Sequence, residues 1–169
     1  MKYMRGWRGG SILPNNISFD VDGGKFNLRT AGIIIQSNKI LLCKNDGNSN
    51  YYTIGGRIKF GEDSVKAIER EVMEETKQRF IADRLLYVNE NFFTFQKTQE
   101  KCHEICTYYL MKSLQPVIKL PQPIQESYGI VRFYWIHLNE LTEIVFFPEF
   151  LKSGLQKITS STKHIVIRQ

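Results

Sequence analysis

The residues best suited to chemistry lie between Gly55 and Gln78, in the segment GGRIKFGEDSVKAIEREVMEETKQ. A glycine pair is followed there by an arginine and four acidic residues at fixed spacing: Glu62, Arg70, Glu71, Glu74 and Glu75. Divalent cations prefer oxygen ligands, and Mg²⁺ in proteins is often shared between carboxylates and substrate phosphates. This combination therefore indicates a metal-dependent phosphate site.

Helical geometry brings three of these carboxylates together. Each residue of a helix turns by about 100°, so Glu71, Glu74 and Glu75 project to one side. Like charges at this spacing repel by a few tenths of a kcal/mol per pair. A solvated acidic helix face is the alternative interpretation, but a cation among the three would remove the repulsion. We therefore predict a Mg²⁺ site, with Mn²⁺ as the alternative metal.

The other residues of the segment have supporting roles in this interpretation. Glu62 precedes the helix and could swing toward the same metal. Arg70 could reach Glu74 at i+4 and orient a carboxylate through a bidentate contact. The glycine pair lets the backbone pass close to the site, and the carbonyl of Gly56 could add a ligand.

This segment resembles the Nudix box, G-x5-E-x7-R-E-U-x-E-E-x-G-U, in which U is a bulky aliphatic residue. Lys77 stands where the box usually has glycine, Gln78 where it has an aliphatic residue, and Ile54 where proline commonly precedes the glycine pair. Seven positions match the box: Gly56, Glu62, Arg70, Glu71, Val72, Glu74 and Glu75.

The resemblance implies a fold and an activity. The fold would be α/β, a Nudix-like α/β/α sandwich with a mixed sheet. The activity would be divalent-metal-dependent hydrolysis of a pyrophosphate linkage in a nucleoside diphosphate-linked substrate. Glu71, Glu74 and Arg70 would be catalytic, and the metal ligands would be Glu71, Glu74, Glu75, Glu62 and Gly56. The alternative is a catalytically silent Nudix-like module that binds a nucleotide or RNA.

Two further pairs of residues are candidates for the site. A general base or an extra ligand could come from outside the box, and Glu104, in a predicted strand, and Glu126, in a predicted loop, are the candidates. Aromatic side chains stack on nucleobases, and Tyr52 and Phe93 are the candidates for that role. A surface charge and a core position are the respective alternatives.

The elements around the segment must hold it in place. The pattern predicts a helix from about Asp63 to Thr76, capped by Asp63 or Ser64, with an apolar stripe of Val65, Ile68 and Val72 facing the core. A left-handed residue at Lys77 would cost roughly 1 kcal/mol, so either Lys77 tolerates that cost or the helix continues. A hairpin precedes the helix, with residues 25–35 pairing with residues 40–43. Strands and a short helix near residues 149–155 follow it.

The whole chain of 169 residues suits one domain. We predict an irregular N-terminal extension over residues 1–24, a Nudix domain over 25–158 and a polar tail over 159–169. No apolar run approaches the about 20 residues that cross a bilayer, so we expect a cytoplasmic protein without a membrane partner. The net charge of +6 suits a nucleotide-like substrate. The sequence has no basic block that would support RNA as a partner. The N-terminal extension is compatible with a homodimer. The odd number of cysteines, three, predicts free thiols.

Overall fold

The computed structural model of the chain describes residues 16–47, 49–95, 98–115, 118–126 and 129–169. Within these ranges the chain forms two six-stranded sheets and two helices. The strands are β1 (Ser18–Val21), β2 (Gly24–Ile33), β3 (Ile35–Gln36), β4 (Lys39–Asn45), β5 (Tyr51–Tyr52), β6 (Ile54–Arg57), β7 (Phe80–Thr94), β8 (Lys101–Ser113), β9 (Ile124–Glu126), β10 (Gly129–His137), β11 (Phe146–Phe147) and β12 (Lys163–Arg168). The helices are α1 (Ser64–Thr76) and α2 (Phe150–Gly154), and a 3₁₀ turn covers Leu138–Glu140.

Both sheets are mixed. The first has the order β1-β2-β8-β7-β12, with β6 also paired to β2, and its β2–β8 and β7–β12 pairs are parallel. The second has the order β11-β5-β4-β10-β9, with β3 also paired to β4, and its β5–β11 pair is parallel. The predicted α/β sandwich is thus confirmed, with two mixed sheets where the sequence suggested one.

The predicted hairpin of residues 25–35 with residues 40–43 is wrong in its pairing. Strand β2 belongs to the first sheet and β4 to the second, so only the short β3 pairs with β4. The chain crosses between the sheets at Ile33 and Ile34, and both are fully buried. Ile33 packs in one core cluster and Ile34 in the other. This apolar run therefore joins two sheets instead of forming one long arm.

Alternation along the strands divides the core into two clusters. Successive side chains of a strand point to opposite faces. On β8, Tyr108 faces the cluster that includes Leu151 of α2, while Tyr109 faces the cluster that includes Ile68 and Val72 of α1. Each helix therefore covers a different cluster, and α1 is fixed against the first sheet by its apolar face.

Helix α1 begins close to where the sequence predicts it. Asp63 is the N-cap, and its carboxylate accepts a hydrogen bond from the Lys66 N–H at 2.9 Å. Ile68 and Val72 are fully buried, as predicted, but Val65 is 39% exposed. Val65 lies on the same side of the helix as the rest of the stripe. It is in the first turn, however, at the end of the part of α1 that packs against the core. The predicted stripe is therefore wrong for this one residue.

The helix ends at Lys77, which adopts the left-handed conformation with φ 57°. Its N–H donates to the carbonyl of Met73 at 3.0 Å. Of the two expected outcomes, Lys77 thus accepts the strained conformation and the helix does not continue. The chain leaves the helix by the route that glycine normally provides.

We expect Lys77→Gly to stabilise the protein, because glycine adopts this conformation without steric cost. The gain should be about 0.5–1 kcal/mol in the free energy of unfolding, measured by urea denaturation. Lys66→Gly, inside the helix with ordinary helical geometry, is the matched control and should instead destabilise by about 1 kcal/mol. A Lys77→Gly protein that is less stable than the parent would contradict this account of the helix end.

Both ends of the described chain contribute strands. Residues 1–15 of the predicted extension lie outside the described residues, but Ser18–Val21 forms β1 against β2. In the predicted tail, Lys163–Arg168 forms β12 beside β7. The irregular interpretation of the extension is therefore wrong at Ser18–Val21, while the domain boundaries themselves stay predictions. Strands as short as these, of four and six residues, carry little sequence signal and are fixed by pairing with a neighbour.

Two simpler expectations can be compared directly with the structure. All three cysteines, Cys43, Cys102 and Cys106, are free and buried. Within the described parts of the chain, no helix is both long and apolar enough to cross a membrane.

Candidate active site

Arg70 joins the acidic residues of the box into one network. Its Nε and Nη2 donate to the two carboxylate oxygens of Glu62, at 2.7 and 2.9 Å. Its Nη1 donates to Glu71 at 2.7 Å and to Glu74 at 3.2 Å. Its Nη2 also donates to the carbonyl of Arg57 in β6, at 3.3 Å. One guanidinium therefore links the helix to the loop before it and to the strand of the glycine pair.

Glu62 is used mainly to fix Arg70. Both of its oxygens accept hydrogen bonds from that guanidinium, and Oε2 also accepts one from the Lys59 N–H at 3.1 Å. These bonds favour the ionised form, so Arg70 and then the Lys59 N–H lower the pKa of Glu62, although its partial burial acts in the opposite direction. Its role as a metal ligand stays a prediction, and the geometry favours a bracing role.

Gly56 allows Glu71 to lie directly against the backbone of β6. A Cβ at this position would lie 2.4 Å from the Glu71 carboxyl carbon and 2.5 Å from each of its oxygens. Any side chain here would therefore displace the carboxylate. The neighbouring Gly55 donates its N–H to Glu75 Oε1 at 3.2 Å, which places a second carboxylate beside the same strand. The glycine pair is required for close approach of these two glutamates.

Glu75 is held in an unfavourable state for a carboxylate. Burial, and then the charges of Glu71 and Glu126, raise its pKa to about 8, while the Gly55 N–H and Arg29 act in the opposite direction. A buried carboxylate facing two like charges is stabilised by protonation or by a cation. A cation bound beside Glu75 would therefore stabilise this part of the site.

A cleft of about 740 Å³ opens beside this network. Six of the predicted site residues line it: Tyr52, Gly56, Glu71, Glu74, Glu75 and Glu126. Arg70 and Glu62 lie behind them, connected through the hydrogen bonds to Glu71 and Glu74. The structure thus brings most of the predicted site residues together.

Glu126 reaches the cleft from the second sheet. It is the last residue of β9, whereas the sequence placed it in a loop, so that local prediction is wrong. The three-residue strand pairs with β10 next to two prolines, and such a short edge strand has little sequence signal. The carboxylate nevertheless faces Glu75 across the cleft, as its electrostatic effect on the pKa of Glu75 indicates.

Two other candidates lie elsewhere. Glu104 is in β8, as predicted, but its carboxylate forms an ion pair with Arg29 at 3.8 Å and is not part of the cleft lining. Phe93 packs edge-to-face on Phe95, with ring centroids 5.0 Å apart, beside a separate groove. Neither residue lines the cleft, but neither matches its alternative fully: Glu104 is a charge only 16% exposed and paired with Arg29, not a surface charge, and Phe93 is a half-buried packing position.

Gln78, which replaces the usual aliphatic residue of the box, joins the end of α1 to the segment that leads to Glu126. Its side chain is buried, and both ends of its amide bond the backbone of Lys119. The amide nitrogen donates to the Lys119 carbonyl and the amide oxygen accepts from the Lys119 N–H, each at 2.8 Å. Ile118 and Ile124 on either side pack against the α1 core cluster. The departure from the box therefore provides a specific contact.

We expect Gln78→Leu to destabilise the protein by about 1–3 kcal/mol, because it leaves two backbone groups of Lys119 without their partners. The free energy of unfolding from urea denaturation measures this. Gln125→Leu, which alters an exposed amide in the same segment, is the control and should change stability by less than about 0.5 kcal/mol. Equal stability of Gln78→Leu and the parent would show that the contact with Lys119 contributes nothing to the free energy of unfolding.

The donor set fits a divalent cation. Among the described residues, no three Asp, Glu, His or Cys side chains stand in an arrangement that could hold a metal ion as they are. Glu71 and Glu74 instead accept hydrogen bonds from Arg70. Mg²⁺ needs only one or two carboxylates, with water and phosphate oxygens completing its coordination. Glu71, beside Gly56, and Glu75, beside Gly55, supply such carboxylates.

Several residues of the cleft were not found from the sequence. Arg29 of β2 and Arg57 of β6 line it, together with Tyr108 and Phe147 from other strands. The available signal was weak, since Arg29 is one of several polar residues in β2 and Arg57 directly follows the glycine pair. Their proximity depends on strand pairing, which the sequence alone did not establish.

Comparison with known proteins agrees with the fold. The NUDIX domain family matches residues 26–157. Among solved structures, a NUDIX hydrolase from Nitrosomonas europaea is 22% identical with a TM-score of 0.54, covering 77% of this chain and 86% of its own. The mMutator MutT protein from Bacillus halodurans is 16% identical with a TM-score of 0.55, covering 82% and 89%. An ADP-ribose pyrophosphatase from Streptococcus suis is 15% identical with a TM-score of 0.50, covering 82% and 98%.

The fold and the box thus define a protein of the Nudix, or MutT-like, class. With most of its length matched by the family, the chain belongs to the NUDIX domain family. This is a family of hydrolases that act on pyrophosphate bonds, and the resemblance seen in the sequence is confirmed.

Proposed function

We propose that this protein is a divalent-metal-dependent hydrolase that cleaves a pyrophosphate linkage in a nucleoside diphosphate-linked substrate. The observation that carries the proposal is the group of like-charged carboxylates Glu71, Glu75 and Glu126 facing one cleft, with the pKa of Glu75 raised to about 8. Such an arrangement destabilises a protein that has no cation to bind. A role in binding Mg²⁺, or alternatively Mn²⁺, explains why it is present.

Each residue of the network has a distinct part in this proposal. Glu71 and Glu75 bind the metal with Glu74 at the more exposed edge, and Arg70 holds Glu71 and Glu74 in position through its hydrogen bonds. A divalent metal held there would neutralise charge on the diphosphate and lower the pKa of the attacking water. Glu71 is kept against the backbone because Gly56 leaves the space for it.

Glu126 is the better placed of the two candidates for the general base or an extra ligand. Glu126 lines the cleft with the box glutamates. Glu104 does not line the cleft and is paired with Arg29. A general base must lie within reach of the proton it removes. Tyr52, which also lines the cleft, is the candidate for stacking on the base of a nucleotide-like substrate. A cytoplasmic location and a homodimer stay predictions, and no feature of the cleft favours RNA.

A catalytically silent Nudix-like module that binds a nucleotide or RNA is the rival. The complete set of box carboxylates favours the enzyme, because binding a polyanion gains nothing from four acidic side chains unless a metal is present. The solved structures with this fold include both a MutT protein and an ADP-ribose pyrophosphatase. The substrate is therefore a matter for direct measurement.

The test is a substrate panel with Mg²⁺: nucleoside triphosphates, ADP-ribose, sugar nucleotides, dinucleoside polyphosphates and 5′-triphosphate RNA. Release of products from at least one of them, with a marked loss in Glu74→Gln, is the expected result. Binding without turnover of anything would establish the silent module instead. Turnover that Glu74→Gln leaves unchanged would contradict the proposed role of Glu74.

A further inference from the structure

Two arginines face each other on the wall of the cleft. Arg29 in β2 and Arg57 in β6 are cross-strand partners in an antiparallel pair, and both line the cleft. Directly opposed side chains have Cβ atoms about 5 Å apart, and like charges at that distance are destabilising. We call these two residues the arginine pair. Their position beside the Thr30–Gly56 pairing places them next to the glutamates of the box.

The guanidinium groups of the arginine pair have N–H donors that no described residue uses as hydrogen-bond partners. Among the described residues, Arg29 forms one ion pair, to Glu104, and the closest N–O distance of 3.8 Å is too long for a hydrogen bond. Arg57 forms no ion pair with the side chains that the structure describes; only its backbone carbonyl is used, by Arg70. The Arg29 side chain remains 42% exposed, so a ligand in the cleft can reach it.

Strand register keeps Arg29 in this orientation. Its partner on the parallel strand β8 is Cys106, and Glu104 and Tyr108 lie two residues to either side on the same face. Cys106 and Tyr108 also line the cleft. The mostly buried Glu104 carboxylate therefore lies beside the Arg29 guanidinium. It balances part of the charge of Arg29 without occupying the hydrogen-bond donors of Arg29. This assigns Glu104 a positioning role toward Arg29.

We propose that the arginine pair binds a phosphate group of the substrate, separate from the phosphate oxygens that the metal contacts. The inference rests on the proposed function for the identity of the ligand as a diphosphate. Arginine suits this task because its planar guanidinium donates two parallel hydrogen bonds to a phosphate. An anion between the two side chains also removes their mutual repulsion. The cleft then has a metal-binding acidic wall and a basic wall, with a diphosphate between them.

Binding of imidodiphosphate, a diphosphate that cannot be hydrolysed at its bridging position, tests the pair independently of turnover. Isothermal titration in the presence of Mg²⁺ compares the parent with Arg29→Gln, Arg57→Gln and the double variant. We expect affinity to fall about 10-fold in each single variant and about 100-fold in the double variant, since each charged hydrogen-bonding partner is lost. Glu104→Gln should weaken binding by about 2- to 5-fold, through loss of Arg29 positioning.

Arg168→Gln is the matched control. It removes the same charge from β12, at the far edge of the first sheet, where the guanidinium lies over the Phe92 ring at 3.9 Å from its centroid. This variant should bind imidodiphosphate like the parent. Since all variants are read by affinity in folded protein, checked by circular dichroism, a loss confined to the arginine pair supports a binding role over a structural one.

Two failures are distinguishable. Unchanged imidodiphosphate affinity in the double variant would overturn the inference, even if the parent hydrolyses a nucleotide. An inactive parent on the whole substrate panel would overturn the proposed hydrolase, while a binding loss in the double variant would still establish a diphosphate site. For a substrate that is turned over, the inference also requires KM to rise about 10-fold or more in Arg29→Gln while kcat stays within about 3-fold; a loss confined to kcat would overturn it.

Discussion

Glu75→Gln is expected to lower kcat by about 100- to 1000-fold or more, because it removes a charged ligand from the proposed metal site. The substitution keeps the size of the side chain, and the amide oxygen can still accept the hydrogen bond that Gly55 donates at 3.2 Å. Steady-state hydrolysis of a substrate identified from the panel measures the effect. Activity within about 3-fold of the parent would remove Glu75 from the catalytic account.

The same substitution should make the metal-free protein more stable at high pH. The folded pKa of Glu75 is raised from its ordinary value of 4.5 to about 8, first by burial and then by Glu71 and Glu126. Below pH 4.5 the carboxyl is protonated in both states, so it carries no penalty. Between pH 4.5 and 8 the unfolded state releases its proton and the folded state keeps it, so stability falls as pH rises.

The pH dependence therefore separates a functional carboxylate from a structural one. In EDTA, Glu75→Gln should match the parent near pH 4 and exceed its free energy of unfolding by about 1–3 kcal/mol near pH 8. Urea denaturation at the two pH values measures the difference. A variant that is both inactive and less stable at pH 8 would indicate that Glu75 supports the fold instead.

Arg70→Gln is expected to have the second large effect, on stability and activity together. Arg70 bonds three carboxylates and one carbonyl, and its side chain is only 20% exposed. Its removal leaves Glu62 and Glu71, both less than one-fifth exposed, without their charge partner. Breaking a partly buried network of this kind should cost about 2–4 kcal/mol of unfolding free energy.

Activity should fall in Arg70→Gln by about 10- to 100-fold, because the carboxylates it positions lose their orientation. Lys66→Gln is the matched control on the same helix, since Lys66 is 77% exposed and forms only a surface ion pair with Asp63. This control should change stability by less than about 0.5 kcal/mol and leave activity unchanged. Similar results for the two variants would mean that the Arg70 network is no stronger than a surface pair.

The sequence predicted those parts of the protein that depend on local spacing. The helix, its Asp63 cap and the clustering of Glu71, Glu74 and Glu75 follow from residue order alone. Parts that depend on pairing between distant segments were not accessible in this way. The split of β2 and β4 between two sheets, the strand that carries Glu126 and the opposition of Arg29 and Arg57 all arise from long-range register.

Two residues show how a departure from a family pattern can be interpreted physically. Lys77 adopts the left-handed conformation at a cost in strain, so the helix ends at the position where the box usually has glycine. Gln78 goes further, because its amide forms two hydrogen bonds that an aliphatic residue could not form. The sequence identified both positions as unusual, but only the position of Lys119 explains the second.

The central claim is that Glu71 and Glu75 bind a divalent cation, and a Mn²⁺ titration followed by electron paramagnetic resonance tests it most directly. The parent should bind Mn²⁺, and the Glu71→Gln/Glu75→Gln double variant should lose that binding. Glu69→Gln is the control, since Glu69 lies on the same helix but accepts a hydrogen bond from the Ala82 N–H at 3.0 Å, and it should bind like the parent. Equal Mn²⁺ binding by the double variant and the parent would contradict the account.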